Sequence, residues 1–158
     1  MVEAEEQKGS PSWLRGCAWV CMQLALLVAL AVTGSVVPRS AVALLLCLAA
    51  IGLALWAVVA VRLSNLRIHP APALKARLVR HGPYARLRHP MYLSLLLLTA
   101  GWLYDTPTGL RVALWVALII VLVGKARYEE GLLMQRFPEY AAYRRETLGL
   151  LPRIVARR

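Results

Sequence analysis

Apolar residues gather in four runs along the chain, separated by short polar or helix-breaking stretches. Trp13–Thr33 is apolar apart from Arg15 and Gln23. As a helix it would extend about 31 Å, enough for one bilayer crossing. Gly34 to Arg39 contains Gly, Ser and Pro and reads as a turn. Ser40–Val61 is a second crossing without a charge. These two runs predict a membrane hairpin over 13–61, behind a polar tail over 1–12. Arg62–His89 is a polar loop rich in Arg and Lys and free of acids, with Pro70 and Pro72 holding its middle out of a helix. Pro90 suits the first turn of the next helix.

Met91–Tyr104 and Leu110–Gly124 flank the turn from Asp105 to Gly109. Each would cover roughly 21–23 Å, short of the ~30 Å hydrocarbon core. A second crossing hairpin is expected if both borrow flanking turns, with Tyr92, Trp102, Tyr104 and Trp115 as interfacial anchors. The fourth helix should run on to about Arg136, and Phe137-Pro138 should restart a short amphipathic helix carrying Tyr140, Tyr143, Arg144 and Arg145. Leu148–Ile154 reads as interfacial. The expected fold class is therefore all-α: an integral membrane bundle of four transmembrane helices in two hairpins, with a cytoplasmic amphipathic C-terminal helix. Residues 62–158 form its chemical core.

Composition agrees with a single membrane domain. Of 158 residues, 59% are hydrophobic, and the mean hydropathy is +0.59, above globular norms. The net charge of +11 would suit nucleic acid, but the basic residues lie between and after the apolar runs, where topology rules put them. Of the 19 Lys and Arg residues, all but Arg39 and Arg111 fall on one side of a four-crossing chain. The positive-inside rule makes that side, with both termini, cytoplasmic. Glu3, Glu5 and Glu6 are unlike the basic start of a secretory signal, so the first span is expected to be retained. The usage of Ala, Leu and Arg fits a GC-rich genome and a bacterial plasma membrane. Cys17 and Cys21 share a helix face and are expected to pack, with no disulfide framework implied.

Several chemistries are absent. No GxGxxG fingerprint and no Walker A loop occurs. His69, His81 and His89 lack a metal spacing, so no metal site is expected. Asp105, the only aspartate, is predicted on the opposite side from the histidines, which disfavours a Ser-His-Asp triad. What stands out is the segment Gly82–Tyr92, dense in His, Arg, Tyr and Pro, and Glu129-Glu130 at the exit of the fourth helix. An antiparallel hairpin would bring them together. Arginine can clamp a carboxylate through two hydrogen bonds, carboxylates can hold an amine or ribose hydroxyls, and tyrosine faces can shelter a sulfonium. Plainer readings stand beside these. Glu129 follows Lys125 at the spacing of an ordinary helix-surface pair, Arg86 suits a topological charge, and Tyr92 suits a belt aromatic.

The order of these elements resembles the isoprenylcysteine carboxyl methyltransferase family, whose pattern the related phospholipid N-methyltransferases largely share. It comprises Gly82-Pro83-Tyr84, Arg88-His89-Pro90-Met91-Tyr92, Glu129-Glu130, Phe137-Pro138-Glu139-Tyr140 with Tyr143, and Leu151-Pro152. The resemblance implies a membrane methyltransferase using S-adenosylmethionine in a cytoplasmic pocket without a dinucleotide-binding domain. Gly82, Tyr84, His89, Tyr92, Glu129 and Glu130 would be cofactor-pocket positions, with Arg88 and Glu130 as the catalytic pair. Arg88 would orient the acceptor or the cofactor carboxylate, and Tyr140, Tyr143 and Arg144 would close the pocket. Phe137-Pro138 departs from the Phe-Gly often found in the family. The implied acceptor is a lipidic or prenylated carboxylate within the membrane lipids. Alternatives are N-methylation of a phospholipid ethanolamine head group, and a non-catalytic scaffold or sensor on the same fold.

Overall fold

A computed structural model describes residues 12–66 and 78–150. It contains α1 (Ser12–Val32), α2 (Ala41–Leu66), a 3-10 turn over Gly82–Ala85, α3 (Pro90–Asp105), α4 (Gly109–Arg136) and α5 (Tyr140–Glu146). No strand occurs among the described residues, so the fold is the all-α membrane bundle expected. The predicted interfacial stretch is described only as far as Leu150. The polar tail before Ser12, His69, Pro70, Pro72 and Leu151-Pro152 lie outside the described residues.

Local signals explain the helix boundaries. Pro90 opens α3 at its first turn, and Thr108 caps α4 by accepting from Arg111 N at 3.3 Å. Phe137 ends α4 in an extended conformation, as the residue before a proline prefers. Three helices are long and apolar enough to cross a membrane: Leu14–Val32, Ala41–Arg62 and Gly109–Arg136. The exception is α3. Its 16 residues reach only about 24 Å, so a full fourth crossing is not established by length.

The helices pair crosswise rather than in strict chain order: α2 packs mainly on α3, and α1 mainly on α4. Small residues are the reason. Ala43, Cys47, Ala50, Ala57 and Ala60 recur at helical spacing on α2 and are buried. Opposite them, a side chain at Gly101 of α3 would lie 3.0 Å from both the Ala43 carbonyl oxygen and Cys47 Sγ. Without hydrophobic force in lipid, such close backbone approach supplies the packing. On α4, Gly124 makes room for Trp19 of α1, whose ring would stand 2.5 Å from an added Cβ. Leu30, Leu96, Leu118 and Leu122 fill the centre. Leu24, Val28, Leu45, Leu48 and Leu55 point outward, as a lipid-facing surface requires. Cys17 and Cys21 are exposed with them, contrary to the packing expected, while Cys47 is buried.

Two turns meet at one end of the bundle. Asp105 accepts from the backbone N–H groups of Arg39 and Ser40, the latter at 3.2 Å, placing an anion at the start of α2 where the helix dipole favours it. Arg111 is fully buried beside Gly34 and donates from Nη2 to the Trp102 carbonyl at 3.0 Å. The only aspartate thus has a structural task. The motif-bearing loop, the exit of α4 and α5 form the other end.

Candidate active site

Four pieces of chain converge at that other end. The 3-10 turn leads into Arg88 and His89. The first turn of α3 presents Tyr92, late α4 presents Glu129 and Glu130, and α5 folds back over all of them. Gly82 makes the turn possible. Its φ is +61°, a left-handed conformation that favours glycine, and a Cβ there would lie 3.0 Å from Ala60 of α2. The loop is also tied to the chain beyond α5. Arg88 N donates to the Leu148 carbonyl at 2.9 Å and Leu148 N to the Arg86 carbonyl at 2.8 Å, a single parallel bridge between Leu87 and Leu148.

Glu130 is the hub. It is 7% exposed, and both its oxygens face cations. Oε1 lies 2.9 Å from Arg88 Nε and 3.2 Å from His89 Nε2, and Oε2 lies 3.2 Å from Arg144 Nε. A buried carboxylate persists only with such compensation. Arg88 is fixed further by Nη1, which donates to the carbonyls of Arg144 at 2.7 Å and Thr147 at 3.3 Å. Glu129, one residue earlier and about 100° around the helix, accepts from the Tyr92 hydroxyl at 2.6 Å. The Tyr92 ring stacks on His89 at 5.3 Å and receives Lys125 Nζ at 5.0 Å from its centroid.

The Lys125–Glu129 surface pair considered from spacing is replaced by a different contact. Lys125 donates to Gln23 of α1 at 2.9 Å. That cross-helix partner had no signal in the sequence, since a lone glutamine in an apolar run names no acceptor. Arg144 likewise emerges as a partner of Glu130, whereas the family resemblance implied only a closing role.

Of the cavities that adjoin this network, two share Tyr84 and Arg88. One of about 220 Å³ is bordered by Tyr84, Arg88, His89, Tyr92 and Glu129. A larger one of about 320 Å³ is bordered by Arg88, Arg136, Phe137, Tyr140 and Tyr143. Tyr84, Arg88 and Leu133 border both. Gly82 is turned toward α2 instead, and Arg86 is exposed. Tyr143 donates to the Tyr84 carbonyl at 2.7 Å. The Tyr140 hydroxyl is buried without a hydrogen-bond partner.

Burial raises the pKa of Tyr84, Tyr140 and Tyr143, the last to about 12. The Glu129 charge adds to the effect at Tyr84 and the Glu130 charge at Tyr140. Their hydroxyls therefore stay protonated at neutral pH, Tyr143 as a donor and Tyr140 without a partner. Among the described residues no group of His, Cys, Asp and Glu is arranged to hold a metal.

Comparison with known proteins follows this geometry. The chain is 39% identical over 79 residues to the cobalt-zinc-cadmium resistance protein CzcN of Cupriavidus metallidurans, a match covering 49% of this chain and 36% of that protein. The chain thus spans about a third of that relative's length. No solved structure matches it. The family model of phospholipid methyltransferases matches residues 38–140, which hold the motif loop, both glutamates and Tyr140. Membership is shown by a match of that extent: the chain belongs to the phospholipid methyltransferase family, a family of membrane methyltransferases.

Proposed function

We propose that the protein transfers a methyl group from S-adenosylmethionine to the carboxylate of a lipidic or lipid-anchored acceptor. The observation that carries this reading is the convergence of Arg88, His89 and Tyr92 on Glu130 and Glu129 beside two adjoining cavities. Those cavities suit the cofactor chemically. Their combined space is in the range of small-molecule sites. Tyr140 brings an unpartnered buried hydroxyl to the larger one, and only one Glu129 oxygen is held by Tyr92, leaving the other for an amine or ribose hydroxyls.

When bound, the cofactor supplies an electrophilic sulfonium methyl, which an acceptor carboxylate oxygen takes as the carbon–sulfur bond breaks and its electron pair stays on sulfur. No proton moves in that step. The protein's work is then alignment and exclusion of water. Tyr84, His89, Tyr92 and Glu129, which line the smaller cavity, would hold the cofactor. Gly82 supports them by shaping the turn. Arg88 has Nη2 available to orient an acceptor or cofactor carboxylate. Glu130, with both oxygens engaged by the protein, positions Arg88, His89 and Arg144. By the positive-inside rule, the charge pattern supports a site that faces the cytoplasm.

N-methylation of a phospholipid amine is the second reading, favoured by the family's description. An amine must lose a proton, and Glu130 is already engaged with His89, Arg88 and Arg144. That occupancy favours the carboxylate. Purified protein given methyl-labelled cofactor and either a prenylcysteine or phosphatidylethanolamine separates the two. Base-labile release of labelled methanol is expected. Stable label in phosphatidylethanolamine would replace the carboxylate reading, and no label with no calorimetric cofactor binding would overturn both in favour of a scaffold or sensor.

A further inference from the structure

Beside the candidate site runs another cavity that the proposed reaction leaves unused. It lies between α1 and α4, encloses about 430 Å³, and is bordered by Gly16, Trp19 and Val20 of α1 and by Lys125, Glu129 and Leu132 of α4. Its two walls differ in chemistry. The α1 wall is apolar and continues into the exposed face of Leu24 and Val28. It is open at Gly16, where an added Cβ would meet nothing within 4 Å. Trp19 is seated against α4 by the missing side chain of Gly124.

The α4 wall is polar. Lys125 Nζ donates to Gln23 Oε1 at 2.9 Å, and Glu129 Oε1 accepts a hydrogen bond from the Tyr92 hydroxyl at 2.6 Å. The Lys125 ammonium thus faces the cavity just beyond the apolar run of α4. Glu129 borders both this groove and the smaller cavity of the candidate site, so anything seated at Lys125 is one side chain from Tyr92. α1 lies wholly outside the residues that the family model matches, and family membership is silent about its role.

We infer that the α1–α4 groove is the acceptor's subsite. The hydrocarbon next to the acceptor's head rests on Gly16, Trp19 and Val20, while Lys125 holds an anionic head group, carboxylate or phosphate, at the Glu129 wall. The Tyr92 hydrogen bond and the Lys125 ammonium offset the Glu129 charge that would otherwise repel it. The assignment rests on the proposed methyl transfer for its purpose, but it makes a separate claim about binding.

The test uses the full-length protein in nanodiscs, with bromine-labelled chains as quenchers of tryptophan fluorescence and Trp19→Phe to isolate the Trp19 signal. Probes are a brominated prenylcysteine, a brominated phosphatidic acid and a brominated phosphatidylcholine. Saturable quenching of Trp19 by an anionic probe is expected, at least tenfold weaker in Gly16→Leu and in Lys125→Met, and restored by Lys125→Arg. Whichever anionic probe saturates at lower concentration identifies the head group. In turnover, Gly16→Leu should raise KM for the long-chain acceptor at least tenfold and leave calorimetric cofactor affinity unchanged. Equal quenching by phosphatidylcholine, or quenching and KM indifferent to Gly16→Leu, overturns the assignment. Saturable, Gly16-dependent quenching without any methyl transfer would instead sink the proposed reaction and leave the lipid subsite standing.

Discussion

Each end of the bundle buries an arginine, and the two are handled in opposite ways. At the motif end, Arg88 shares a carboxylate with His89 and Arg144 and borders both cavities of the candidate site. At the turn end, Arg111 is fully buried, with Nε and Nη1 unpartnered and one bond to a backbone carbonyl. Burial of a charge alone does not mark a site. What separates the two ends is a compensating network whose members also face open space. Arg88 has neighbours arranged around a ligand-sized void, whereas Arg111 is wedged between Gly34 and Trp102 and serves the joint of the two turns.

That contrast can be broken by substitution. The largest effect is expected at the hub. Glu130→Gln keeps the shape but removes the charge that aligns Arg88 and Arg144, and transfer should fall on the order of 100-fold, the cost of small misplacement in an aligned site. Circular dichroism should show the helices retained. Loss of helicity in step with activity would reduce Glu130 to a folding residue. Gly101→Leu forces a side chain against the Ala43 carbonyl and Cys47. It should cost about 1–3 kcal/mol of stability by overpacking, read as a lower thermal midpoint in detergent.

Smaller effects sharpen the comparison. Tyr140→Phe removes an unpartnered buried hydroxyl, so the cofactor-free protein should be no less stable. Cofactor affinity should weaken by roughly fivefold, one hydrogen bond of about 1 kcal/mol. Unchanged affinity by calorimetry would remove Tyr140 from the pocket. The smallest change in activity is expected from Arg111→Met. Replacing a poorly paired buried charge with an apolar side chain is often neutral or stabilising, and transfer should stay within about twofold. A large loss of transfer there would erase the distinction between the two ends.

Much of this was readable before any coordinates. Apolar runs fixed the positions of the helices because each signal is local: Pro90 at a first turn, Phe137-Pro138 at a stop, uncharged stretches of membrane length. Motif order brought Arg88, His89 and Tyr92 to Glu129 and Glu130 because α3 and α4 run as neighbours. Partner choice across the bundle was not readable. Which helix packs on which depends on where small side chains allow close approach, as at Gly101 and Gly124, and an apolar pattern is blind to that. The Lys125–Gln23 contact and the role of Gly82 against α2 follow from the same packing. Arg144 and Leu148 were hidden for another reason, since a fold-back of the chain after α5 is a tertiary event.

The Leu87–Leu148 bridge carries a consequence for biogenesis. Its two rungs join a loop that precedes the second pair of helices to residues that follow all five. A growing polypeptide can therefore thread every long helix into the bilayer and still lack a finished pocket until synthesis has passed Leu148. One wall of the pocket is thus built from residues made after every long helix.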